Sequence, residues 1–370
     1  MKHYQVLARK WRPQSFDQVI GHEYVLTAIS NALSIGKIHH AWLFYGPKGT
    51  GKTTLSRLLA KSLNCEYGIT PKPCRTCSNC KNIEKGIFLD LLEIDAASKT
   101  KVEDIKELLD NIQYSPIQGR FIIYLIDEIH MLSRHSFNSL LKILEEPPKH
   151  VKFILATTNP EKIPKTVISR CLQFNLKELT PKEIYTKIKQ ILDNEKIIYD
   201  TKSLKIISHN ASGSLRDALN LIEQAISIGQ GSISITNVTN MLGTIDKTQS
   251  LNLTIAILKK DAHKIISSLH SLNLQGSNWE KIVIEILRTL HHITMLKNIP
   301  SLWNNNLYNK TENNLLLKIT NTMDHKDIQS YYKMLILGRK ELYMAPNYKI
   351  GVEMILLRTL NVKTNTILIT

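Results

Sequence analysis

AWLFYGPKGTGKTTLSRLLAKSLN, residues 41–64, is the stretch that decides the fold. A short apolar run, AWLFYG (41–46), leads into the octapeptide GPKGTGKT (46–53), and an amphipathic pattern continues from Lys52 to Asn64. The octapeptide fits G-x-x-x-x-G-K-[ST] in the strand-then-helix setting that gives this pattern its meaning. Gly46, Gly49 and Gly51 let the backbone turn its N–H groups inward as an anion nest, with a helix N-terminus behind them. Pro47, Lys48 and Thr50 complete the loop. Lys52 is expected to reach the β- and γ-phosphates of a bound nucleotide, and Thr53 to give its hydroxyl to Mg²⁺. A glycine-rich turn with a chance Lys-Thr pair is the bland alternative.

Other apolar runs follow: FLDLLEID (88–95), FIIYLID (121–127), KFILATT (152–158) and the shorter CLQFNL (171–176). Near-continuous rather than alternating runs fit strands buried on both faces. With amphipathic stretches between them, such as Glu23 to Ser34 and Arg134 to Leu144, they predict a parallel sheet flanked by helices. FIIYLIDEIH ends with Asp127 and Glu128 side by side. Acids at the carboxyl end of a parallel strand face the crevice where ligands bind. Asp127 is placed to hold Mg²⁺ and Glu128 to orient an attacking water, a pairing that favours hydrolysis. A helix-capping Asp-Glu pair is the duller reading.

After about Leu179 the strand signal stops. LTPKEIYTKIKQIL opens with Thr180 as N-cap and Pro181 at the first helical position. GSLRDALNLIEQAI (213–226) is a second amphipathic helix, and beyond Gly243 every pattern is helical. A chain of 370 residues is too long for one ordinary core. Three domains are expected: an α/β domain over 1–178, a small helical domain over 179–243 and a larger helical one over 244–370.

Four of the five cysteines, Cys65, Cys74, Cys77 and Cys80, have the spacing C-x8-C-x2-C-x2-C. Clustered cysteines in a reducing cytosol more often hold metal than form disulfides. Four thiolates would complete a closed structural Zn²⁺ site, able to supply on the order of 10 kcal/mol of local folding energy. An iron–sulfur cluster and unliganded thiols are the alternatives. The segment lacks the recognition-helix histidines of a DNA-reading finger, so it is read as stabilising or as contacting a partner. Cys171 reads as a small buried hydrophobe.

The net charge of +16 suits a polyanionic partner. With 37 lysines against 11 arginines and much Ile and Asn, base composition explains part of it. MKHYQVLARKWRP has no apolar h-region, and no run of about 18 uncharged apolar residues occurs. A soluble cytoplasmic protein, with no membrane partner, is expected. On residues alone, Arg170 in SRC (169–171) reads as a surface arginine near a helix end or as an arginine finger. Arg216 and Thr158 divide in the same way between ordinary surface residues and phosphate sensors. His39, His40, His130 and His135 share no ligand spacing and read as packing or capping residues.

Taken in order, LARKWRPQSFDQVIG (7–21), HHAWLFYGPKGTGKT (39–53), the cysteine set, LLEIDAASKTKVEDI (91–105), YLIDEIHMLSRHSFNSLLKILEEPP (124–148), ATTNPEKIPKTVISRC (156–171) and GSLRDALNLIEQAI closely resemble the bacterial DNA polymerase III gamma/tau family. The resemblance runs from about Tyr4 to about Val362. It implies an AAA+ protein: a RecA-like ATPase domain with a zinc module inserted at 65–80, a helical lid, and a helical collar that assembles a heteropentamer. It makes Gly46 to Thr53 the ATP loop, Asp127 and Glu128 the acidic pair, Thr158 the first sensor, Arg216 the second, and Arg170 a finger acting in trans. SKTKVED (98–104) matches a region facing a DNA chamber, so Ser98, Lys99 and Lys101 are expected to track phosphates. The activity implied is ATP-driven opening of the beta sliding clamp and its loading onto primer-template DNA. The partners implied are the delta and delta-prime subunits and further gamma copies, at the replisome. Because the chain stops at Thr370, soon after the collar, a gamma-like short form is expected. Nucleotide incorporation is assigned to another subunit of the holoenzyme, since no polymerase-type carboxylate set is visible. A P-loop metabolic kinase with a zinc lid, and a zinc-containing DNA-binding adaptor in which ATP is structural, are the competing readings.

Overall fold

The computed structural model describes residues 5–98, 111–243, 247–274, 278–299 and 323–361, together with Leu316 and Thr320. Contacts divide the chain into two units, Met1–Ser234 and Ile235–Thr370.

In the first unit, β1 (Ala41–Tyr45), β2 (Leu91–Asp95), β3 (Ile122–Asp127), β4 (Val151–Thr157) and β5 (Leu172–Asn175) form one parallel sheet in the order β2-β3-β4-β1-β5. From β1 the chain crosses to the far edge at β2 and returns through β3 and β4 to pair with β1 again. The three central strands β1, β3 and β4 are buried on both faces, which is why they read as unbroken apolar runs, whereas the edge strands β2 and β5 keep exposed residues. Ala41, Leu43, Tyr124, Ile126, Phe153 and Leu155 pack with Phe137, Leu140 and Leu144 of α5 (Arg134–Glu145) on one face. Trp42, Phe44, Ile123, Leu125 and Ile154 pack on the other against α2 (Glu23–Ile35) and α3 (Lys52–Asn64). The register aligns Tyr45 with Thr157 and Asp95 with Asp127. Gly46, Glu128 and Thr158, each one residue past its strand, therefore meet along one edge.

Around this frame lie α1 (Leu7–Lys10), α4 (Ser78–Lys85) and α6 (Lys165–Ile168), then the lid helices α7 (Pro181–Glu195), α8 (Thr201–Asn210) and α9 (Leu215–Ile228). Thr180 and Glu183 close a capping box on α7 with Pro181 at its start. Two features depart from the sequence expectation. The second strand begins at Leu91 rather than at Phe88, because the buried Asp90 carboxylate turns aside to accept the amides of Ile117 (2.8 Å), Gln118 (2.7 Å) and Gly119 (2.6 Å). A small parallel pair, β6 (Ile198–Tyr199) and β7 (Ser232–Ile233), lies in the lid; two-residue strands are too short to leave a periodic trace.

The second unit is helical among its described residues: α10 (Ile235–Leu242), α11 (Lys247–Leu258), α12 (Ala262–Leu274), α13 (Trp279–Asn298), α14 (His325–Glu341) and α15 (Tyr348–Thr359). Its core gathers Ile286, Ile293, Tyr331, Leu335, Val352 and Leu356. Gly338 lets α14 and α15 approach closely, since a Cβ there would lie 2.7 Å from Ile355. Among the described residues no helix is long and apolar enough to cross a membrane.

Candidate functional site

The loop between β1 and α3 carries three glycines at positive φ, Gly46 (146°), Gly49 (78°) and Gly51 (101°). A side chain at Gly46 would strike the Leu176 carbonyl, and one at Gly49 would strike Ser214, so the chain's tightness as well as its twist demands glycine there. Lys52, buried, donates to the carbonyls of Gly46 and Pro47, both at 2.8 Å. Burial holds its ammonium below the usual lysine range, an effect opposed by the charges of Glu128 and Asp127. The Thr50 hydroxyl donates to Pro47 O at 2.9 Å, and the His22 ring meets Thr50 O at 3.1 Å. Burial lowers the His22 pKa against that contact.

The Thr53 hydroxyl donates to Asp127 Oδ2 at 2.6 Å. An octahedral Mg²⁺ with ~2.05 Å bonds needs adjacent oxygens ~2.9 Å apart. This hydroxyl–carboxylate pair therefore fits the ion after opening by a few tenths of an ångström. Glu128 has φ 48°, a left-handed conformation rare outside glycine, which turns its side chain from the end of β3 toward β4. There Oε2 accepts from the backbone N–H of Thr158 at 3.0 Å and from its hydroxyl at 2.9 Å. His130 completes the cluster, with Nδ1 3.0 Å from Thr157 Oγ1 and 3.3 Å from Glu128 Oε2. The sequence had offered His130 only as a packing or capping residue, because its partner Thr157 lies 27 residues further along the chain, at the end of the neighbouring strand β4.

The lid is bound to the same loop from above. Ser214, 2% exposed, caps α9 by accepting Asp217 N at 3.1 Å, and its hydroxyl side chain abuts Gly49. Arg216 stands on the first turn of that helix, exposed. Burial lowers the Arg12 pKa, and the nearby charges of Arg57, Arg216 and Arg9 lower it further against Glu93, so several guanidinium groups share this neighbourhood. The N-terminal segment straps the lid to the last turn of α3: Trp11 Nε1 and Lys10 Nζ reach Glu195 of α7, Leu7 N reaches Glu223 of α9, and Gln14 O accepts from the buried Lys61 of α3. None of this strap was visible in the residue pattern, since its partners are far along the chain.

Arg170 lies away from this cluster on the turn between α6 and β5. Its Nη1 donates to Thr166 O and its Nη2 to Glu145 Oε1, both at 2.7 Å. Cys171 beside it is buried, donates to Val167 O at 3.2 Å, and burial pushes its thiol up to about 12. Ser98 is exposed with its hydroxyl on Asp95 O at 3.0 Å; Lys99 and Lys101 lie outside the described residues.

Cys65 ends α3, and Cys77 caps α4 by accepting Cys80 N at 3.4 Å. The four sulfurs of Cys65, Cys74, Cys77 and Cys80 lie within 4.8 Å of one another. Four thiolates around one ion at ~2.3 Å stand ~3.8 Å apart, so the cluster fits Zn²⁺ with a small contraction. Desolvation works against ionising Cys74, but hydrogen bonds from Thr76 and Cys77 bring its thiol down to about 6, while burial pushes Cys80 up. The cluster is tied to the sheet through Asn64, whose side chain accepts the amides of Arg120 (3.0 Å) and Phe121 (2.8 Å) and donates to Phe121 O (2.9 Å).

Three family profiles match the chain in succession: "DNA polymerase III, delta subunit" over residues 21–180, "DNA polymerase III clamp loader subunit, ATPase lid domain" over 183–231, and "DNA polymerase III subunits gamma and tau domain III" over 233–366. The DNA polymerase III subunit gamma of Buchnera aphidicola subsp. Schizaphis graminum is 54% identical over 97% of this chain and 98% of its own. The Escherichia coli DNA polymerase III subunit tau is 52% identical over 96% of this chain, which spans 55% of that longer relative. Among solved structures, the Thermotoga maritima RuvB Holliday junction branch migration motor aligns with 67% of this chain and 79% of its own, at 22% identity and a TM-score of 0.48.

Proposed function

The chain belongs to the gamma/tau family of DNA polymerase III clamp-loader ATPase subunits, and from that premise we propose how its residues carry the cycle. ATP sits on the Gly46–Thr53 loop, with Lys52 leaving the Gly46 and Pro47 carbonyls for the β- and γ-phosphates. Mg²⁺, when held by Thr53 and Asp127, supplies charge that neutralises the phosphate oxygens. Glu128, oriented by Thr158, accepts a hydrogen bond from the attacking water. Arg216 reaches the γ-phosphate from the lid, and Arg170 of an adjoining subunit completes the charge around it. A finger supplied in trans is worth about 10³–10⁵ in rate, so turnover becomes a property of the assembly.

The single observation supporting this reading is the meeting of Lys52, the Thr53–Asp127 pair and the Glu128–Thr158 pair at the carboxyl ends of β1, β3 and β4, with the lid cap Ser214 against Gly49. Hydrolysis in the assembled loader, with delta, delta-prime and further gamma copies, then drives loading of the beta sliding clamp onto primed DNA. Ser98, Lys99 and Lys101, on this reading, help track the DNA phosphates. Zn²⁺, when held by the four cysteines, supplies the cross-link that orders residues 65–80. Family membership sets aside the kinase and adaptor readings. The test is reconstitution with clamp and primed DNA. Repeated rounds of loading are expected with ATP and at most one with a non-cleavable analogue; equal repeated loading with both would overturn the proposal.

A further inference from the structure

Arg170 is not free in its own chain. One N–H of each terminal nitrogen is committed at 2.7 Å, to the Thr166 carbonyl on α6 and to the Glu145 carboxylate at the end of α5. The two bonds differ in kind. The carbonyl bond orients the guanidinium, whereas the carboxylate also neutralises it, and an arginine that stabilises phosphate does so through its charge and its paired donors together. The ion pair is half open to solvent, with side-chain exposures of 34% for Arg170 and 54% for Glu145. A pair of that kind is weak. It is strong enough to hold a long side chain in one place and weak enough for a triphosphate, which carries more charge, to displace it. Among the described residues Glu145 makes no other hydrogen bond or ion pair that would fix it elsewhere, and it ends α5, which begins six residues after Glu128.

We propose that Glu145 is a positioning residue that latches Arg170 onto its own chain until a neighbouring subunit's phosphate takes the guanidinium away. This rests on the reading of Arg170 as a residue acting in trans. The latch competes directly with catalysis, so removing its charge speeds the chemical step in the assembled loader instead of slowing it. The expected gain is about two- to fivefold, the range that exposed ion pairs span.

The experiment is single-turnover ATP hydrolysis by the assembled loader with clamp and primed DNA, using the wild type, Glu145→Gln, Arg170→Ala and the double variant. Glu145→Gln keeps the shape of the side chain and is expected to hydrolyse two to five times faster. Arg170→Ala is expected to be slow, and the double variant no faster than Arg170→Ala, because the latch has nothing left to hold. Glu145→Asp, which keeps the charge but draws it back by one methylene, gives a second way to break the pair and the same direction of change if Gln disturbs folding. Unchanged or slower hydrolysis by both Glu145 variants overturns the latch. So does an acceleration that persists without Arg170, which would locate the effect in α5. If Arg170→Ala alone turns over at the wild-type rate, the trans reading fails and the latch with it; slow Arg170→Ala beside an unaltered Glu145→Gln removes only the latch.

Discussion

Replacing Thr158 by Val removes one hydroxyl and almost no volume, and it isolates what holds Glu128. The carboxylate receives two hydrogen bonds from Thr158, at 3.0 Å from the backbone and 2.9 Å from the side chain, and the variant keeps the first. Glu128 is 29% exposed at its side chain, so water replaces part of the lost bond and the fully desolvated value does not apply. The net loss is about 0.5–1.5 kcal/mol. If that energy orients Oε1 toward the attacking water, it appears in the barrier, and turnover falls about 2- to 13-fold. Lys52 and the loop are untouched, so ATP affinity is expected to stay within about twofold. The assay is steady-state hydrolysis by the assembled loader beside nucleotide binding by equilibrium titration, with Thr158→Ser as the variant that restores the hydroxyl. Wild-type turnover in Thr158→Val, or equal losses in Val and Ser, would refute the reasoning.

Three further outcomes are expected. Glu128→Gln should bind ATP with near-normal affinity and lose at least about tenfold in DNA-stimulated turnover, and a variant hydrolysing normally would take Glu128 out of the mechanism. Cys80→Ser should abolish the one tightly held zinc expected per chain and make residues 65–80 sensitive to limited proteolysis; metal analysis finding no zinc in the wild-type protein would remove the structural site. Asp90→Ala should cost about 2–4 kcal/mol in urea unfolding of the first unit, because three amides lose a buried acceptor, and a loss below about 0.5 kcal/mol would mean water satisfies them.

The phosphate loop, the strand-end acids and the four cysteines were legible because their chemistry is contiguous. A loop of eight residues, Gly46 to Thr53, carries its glycines, lysine and hydroxyl within one turn of chain, and Asp127 and Glu128 are neighbours. The apolar runs of the central strands were equally plain, since burial on both faces leaves no polar alternation there. Amphipathic periodicity likewise marked α7 and α9, down to the cap at Thr180.

What the residues could not determine are the pairings between distant segments. Nothing local says that Glu128 turns to Thr158, that His130 joins them, that Ser214 seals against Gly49, or that Glu145 takes hold of Arg170. Each depends on strand register and on where a helix ends, quantities set by the packing of the whole unit. Local pattern fixes which groups a chain can offer, because propensity and burial act over a few neighbouring residues. Only the closed fold decides which of them meet, because contact across tens to hundreds of residues is settled by the combined packing of every element between them.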